Sequence, residues 1–215
     1  MMTIRCAVQQ RQMKKRRYFS GIAAVEFALL VPMLLLLAIP IFDLARIVQA
    51  NMILINISRE GANLALRMDH CPDSTQTYPQ CIMDAIASTA PPLNMQAKGM
   101  IYITKVMGNQ EGASLTNIRN VIVAQDKWLA GGYATGSAVW TCTGGWSNGS
   151  CSGIPSNPDS APTATNVMTG KLADGQVIYV VESAYNTTVM FSAMNLGFGI
   201  QTPQFNTALY AKTIF

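Results

Sequence analysis

The sequence predicts an α+β protein in which a long N-terminal transmembrane helix extends into a small outer domain with an antiparallel four-stranded sheet. Three observations predict it. A basic run is followed at once by an apolar stretch over residues 22–42, apolar residues then recur at helical steps to residue 68, and four later segments are rich in β-branched and aromatic residues.

The helix begins with its charges. Six of the 15 basic residues, Arg5, Arg11, Lys14, Lys15, Arg16 and Arg17, precede Gly21 with no acid among them, leaving nine bases against 11 acids in the rest, a net of −2. The +4 formal charge of the whole chain therefore belongs to its first seventeen residues. A nucleic-acid partner gains nothing from it, because no interleaved aromatic and basic face follows. Ile22 to Phe42 would span about 30 Å at about 1.5 Å per residue, one hydrocarbon core. Basic residues stay on the cytoplasmic side, so the N-terminus is expected inside and the bulk outside. An ordinary secretory signal would need small residues at its cleavage site, and "AIPIFDLAR" after Leu37 lacks them.

Glu26 lies near the start of this stretch. A carboxylate at mid-bilayer costs about 3 kcal/mol and normally faces a protein partner. Arg17 is nine residues away in the intact chain. If the chain is cut after Gly21, Ile22 gains an α-ammonium one helical turn from Glu26. Glu26 would then pair with an N-terminal amine, its own or a neighbouring subunit's. The plainer alternative is a carboxylate that reaches back to the headgroups.

A basic leader, Gly21, and an apolar helix with Glu26 as its fifth residue resemble the processing site of type IV pilins and pseudopilins. The longer string "GIAAVEFALLVPMLLLLAIPIFDLARIVQANMILINISREGA" resembles the TadE-like family of tight-adherence (Flp) pilus systems over residues 17 to 68. The shared features are the A-V-E-F-A-L start, a Pro in the Leu-rich run, the Asp43 to Arg46 step and the late Arg59 to Ala62 R-E-G-A. The resemblance implies a pilin-like minor pilin or pseudopilin in the bacterial inner membrane. Its implied organisation is a leader over 1–21 removed by a prepilin peptidase, a transmembrane segment over 22–42 and a periplasmic part over 43–215. It also implies other pilin-like subunits and an inner-membrane assembly platform as partners, and an extracellular place once assembled in a pilus. Such families often have Phe after the cut, and here that residue is Ile22.

Beyond residue 42, Leu44, Ile47, Val48, Ile55, Ala62 and Ala65 recur at helical steps and predict an apolar stripe packed under the outer domain. Pro32 and Pro40 are expected to kink or loosen the membrane half. Gly61 reads as a weak point, and the "HCPD" at 70–73 as the helix end. Cys6 goes with the leader, leaving Cys71, Cys81, Cys142 and Cys151 outside. Four cysteines allow three pairings. Local closure, Cys71 with Cys81 and Cys142 with Cys151, is favoured because each bridge would tie one loop. The spacings fit no zinc pattern, His70 is the single histidine, and no metal or cofactor is expected.

After Cys81, "CIMDAIASTA" predicts a short helix ended by Pro91 and Pro92. Strands are predicted at 100–107, 117–128, 175–185 and 203–215. Residues 130 to 170 hold 8 of the 16 glycines and one charge, Asp159, so a long surface excursion over 129–174, held by the second cysteine pair, is expected.

"GWSNG", residues 145–149, matches G-x-S-x-G, but that motif needs a strand before the serine, a helix after it and a later histidine. Here the segment before Ser147 is Gly-rich and cysteine-bearing and His70, the only histidine, comes earlier; no phosphate loop is present, and neither an enzyme nor a small-molecule substrate is expected. Tyr133, Trp140 and Trp146 are the binding candidates of the excursion: they would stack on sugars, dock a partner, or pack down over the sheet. An uncleaved membrane-anchored periplasmic binding protein, or a pilus-tip adhesin using these rings, is the alternative to an assembly subunit.

Overall fold

The computed structural model describes residues 3–67, 76–110, 118–190 and 207–215, with side chains described from Gly21 onward. The chain forms two compact units. One holds the N-terminal helix through Arg46 together with Met190, and the other begins at Ile47.

Helix α1 runs Thr3–Arg67, with Pro32 and Pro40 inside it, so neither proline ends it. From Gly21 to Phe42 the side chains are exposed or half-exposed on every side, as suits a segment whose apolar groups meet lipid rather than a core. The "HCPD" stretch lies outside the described residues.

In the second unit α1 buries Ala50, Leu54, Ile57, Ser58, Gly61, Ala62 and Ala65. This is not the expected stripe. Leu44, Val48 and Ile55 are exposed, and only Ala62 and Ala65 of the positions beyond Ile47 are buried as expected. The buried row is dominated by small residues because the helix axis comes close to the sheet. Gly61 is a closely packed point rather than a weak one: a Cβ there would lie 2.8 Å from Ile86 Cδ1 and 3.1 Å from Val181 Cγ1.

Helix α2, Tyr78–Ser88, has Pro79 in its first turn, where a missing N–H costs nothing. It buries Ile82, Met83 and Ile86, and it starts three residues before the predicted helix. Thr89 Oγ1 beyond its end donates to Glu60 of α1 at 3.1 Å. A single turn, α3, Met95–Lys98, is capped by Asn94, whose side chain accepts from the Ala97 N–H.

The sheet has six strands, not four: β1 Gly99–Gln110, β2 Ile118–Lys127, β3 Trp146–Ser147, β4 Ser150–Cys151, β5 Val177–Asn186 and β6 Ala208–Ile214, in the order β3-β4-β2-β1-β5-β6. Every pairing is antiparallel. The two unexpected strands have two residues each, too short for any alternation to show. The first residues of the predicted 203–215 strand lie outside the described set.

Alternation along the strands gives the sheet two covered faces. Ile101, Ile103 and Val181 pack with Leu54, Ile57, Ala62, Ala65, Ile82, Met83 and Ile86 of the helices. Val106, Ile178 and Val180 pack with Val139, Ala164, Val167 and Leu172 of the segment after β2. That segment is therefore a second layer of the domain rather than an excursion.

Candidate subunit-contact site

Gly21, Ile22 and Glu26 lie on consecutive turns of α1 and are all exposed. A Cβ built on Gly21 would meet nothing within 4 Å, so no packing requirement of the fold selects glycine there. Ile22 and Glu26 stand in the i, i+4 relation that puts two side chains on one helix face. Further along the same unit, Asp43 is buried and its Oδ1 accepts the Met190 N–H at 3.2 Å. The Arg46 guanidinium lies 5.3 Å from the centre of the Phe42 ring. Asp43 is thus an internal tie of its unit, and Arg46 covers an aromatic face.

The three rings of the second layer are half-buried. Trp146 sits 5.9 Å from Tyr102, tilted by 46°, with Lys127 Nζ 5.3 Å from its ring centre. Tyr133 packs against the same helix-side core, and Trp140 against the core beneath the second layer. A shallow cavity of about 570 Å³ lies elsewhere, lined by Asp84, Ser88, Asn94, Gln96 and Trp128 among others, and none of the three rings lines it. Ser147 occupies a two-residue strand followed by the Asn148–Gly149 turn, where both residues have positive φ, and not a strand-to-helix elbow. Cys142 and Cys151 form a disulfide across this hairpin. Cys81 is disulfide-bonded as well, while Cys71 lies outside the described residues. Among the described residues no three His, Cys, Asp or Glu side chains gather to hold a metal.

Polar strand side chains that the sequence reading passed over hold the second layer down. Glu182, buried on β5, accepts hydrogen bonds from the Ser137 hydroxyl, the Ala138 N–H at 2.8 Å and the Tyr210 hydroxyl. Gln125 donates to the Trp140 carbonyl at 2.8 Å, Asn120 to the Val167 carbonyl and Tyr102 to the Thr135 carbonyl. Ser150 donates to Asp126. Burial is the main reason the Tyr210 and Tyr102 hydroxyls titrate above their ordinary range, and the Glu182 carboxylate adds to it in both. Asp126 is also raised by burial, against the opposing pull of the Ser150 hydrogen bond. A polar residue at an inward position of an apolar strand, such as Glu182 in "VIYVVESAY", was the available signal.

Among the described residues one helix, over Gly21–Arg67, is long and apolar enough to cross a membrane, and none of its most apolar window is buried. Residues 21–63 match the family model described as TadE-like protein. This helix segment is TadE-like. No curated protein and no solved structure gives a significant match. The TadE-like segment points to a role in the Tad pilus system, with membrane anchoring through α1 and pilin-like partners. The family is pilus-associated and is not known for enzymatic activity.

Proposed function

We propose that the chain is a prepilin-like minor pilin or pseudopilin subunit that acts in assembly of a tight-adherence pilus. The observation that carries the reading is the TadE-like match beginning at Gly21, with Glu26 fifth in the apolar helix that follows it. A prepilin peptidase on the cytoplasmic face removes residues 1–21. Gly21 serves the cut by lacking a side chain, at a position where the fold itself asks for no glycine. Cleavage gives Ile22 an α-ammonium, and Glu26 accepts that ammonium from a neighbouring subunit. A helix one turn out of step with its neighbour would bring the two together. The acid that costs about 3 kcal/mol alone in lipid thereby becomes a contact that pilin-like subunits and the inner-membrane platform select for. The N-terminus is cytoplasmic before the cut and residues 43–215 are periplasmic.

The anchored binding-protein alternative draws no particular support from Tyr133, Trp140 and Trp146, which pack against the core. The test is a blot of membranes expressing Gly21→Ala. The expected result is an uncut precursor, larger than the wild-type band by the mass of the leader. Normal maturation of Gly21→Ala would remove the cleavage assignment.

A further inference from the structure

The outer part of α1 carries a second apolar row that is exposed among the described residues. Val48, Met52, Ile55 and Leu66 are 45 %, 61 %, 36 % and 51 % exposed. They are spaced so that they share one helix face, beside the row buried against the sheet. Arg59 falls on the same face, between Ile55 and Leu66, and is exposed. Asn56 and Asn63 border the row, four residues on from Met52 and Arg59, and Glu60 lies about a third of a turn round the helix from it. The seam is therefore apolar with one cation set into it.

We infer that this seam docks a helix of a different membrane-anchored chain, one that presents an apolar face carrying a single aspartate or glutamate opposite Arg59. The charge decides against a second copy. Two copies packed parallel and in register would set Arg59 on Arg59, and like charges in an apolar seam are repelled. A shifted copy has no carboxylate to offer. From Gly21 onward α1 contains three: Asp43 is buried and bonded to Met190, Glu60 is on another face with Thr89, and Glu26 lies a shift of about 50 Å away at about 1.5 Å per residue. An antiparallel copy is ruled out by the common membrane anchoring of the proposed function, on which this inference rests. The spacing of the row matches what knobs of a packed helix pair require, and one charged position in such a row is the device that selects a partner.

The test uses the full chain in its native membranes, with a photo-crosslinking benzoylphenylalanine at Met52 and, as control, at Glu60 on the other face. The expected result is an adduct from Met52 only, with a chain that mass spectrometry identifies as different and that has an Asp or Glu in an apolar helix. Arg59→Glu should lower the adduct about tenfold or more, as loss of a desolvated charge pair does, and Arg59→Lys should keep most of it. Changing the partner's carboxylate to Lys should restore the adduct in Arg59→Glu. An adduct of twice the chain's own mass, equal yields from Met52 and Glu60, or indifference to Arg59→Glu would overturn the inference. N-terminal sequencing of the same membranes separates the two readings: an Ile22 start with no seam adduct leaves the proposed function standing and removes only the partner.

Discussion

Gly61 shows how one residue is set by its neighbours. Alanine is about 1 kcal/mol better than glycine inside a helix, which alone would favour Gly61→Ala. The added methyl would press on Ile86 and Val181, both fully buried, and the β-branched Val181 has little rotamer freedom to yield. Overpacking costs about 1–3 kcal/mol, so Gly61→Ala is expected to lose about 1 kcal/mol net in urea unfolding in detergent, and Gly61→Val more. Tyr210 makes a pH prediction. Its hydroxyl is held protonated above its ordinary 10.0 by burial and by Glu182, so the folded protein keeps a proton that the unfolded chain loses. The stability tied to this proton is present below about pH 10 and falls as pH rises further. Tyr210→Phe should therefore flatten the alkaline loss of stability while lowering stability at neutral pH through the lost hydrogen bond. An unchanged slope above pH 10 would assign the loss to Tyr102 and Tyr179, which burial also raises.

The element that most needs explaining is the second layer over residues 129–174. Its glycines and near-absence of charge read as an excursion, because nothing local in it signals burial. The information lies in the strands. Glu182, Gln125, Asn120 and Tyr102 point polar atoms at its backbone, and a buried acceptor with three donors is costly to remove. Glu182→Ala is expected to destabilise the outer domain by about 3 kcal/mol. It should also raise hydrogen exchange at Ala138, Val139 and Trp140 before it affects β1. The long strands and the helices were legible because each repeats its pattern over several residues. The hairpin β3–β4 was not, since its two-residue strands are fixed by the Asn148–Gly149 turn, the disulfide and pairing to β2. The α1 stripe was misplaced for a different reason: two apolar rows run side by side, and hydrophobicity alone ranks Leu44, Val48 and Ile55 above the small residues that the sheet accepts. Small size, as at Ala50, Ser58, Gly61, Ala62 and Ala65, was the better guide to the buried face.

At the scale of the molecule, charge, helix and family segment converge at one end. The basic residues cluster before Gly21, the TadE-like segment starts at it, and the acid of the apolar helix stands five residues on. Glu26→Gln keeps the size and removes the charge, so it is expected to mature normally but to weaken recovery of the subunit with its pilin-like neighbours. A Glu26→Gln protein that assembles as wild type would show that the carboxylate reaches the headgroups instead. The most direct measurement is the N-terminal sequence of the protein extracted from membranes. The expected first residue is Ile22, and a mature polypeptide that still carries Arg16 and Arg17 ahead of it would contradict the proposal.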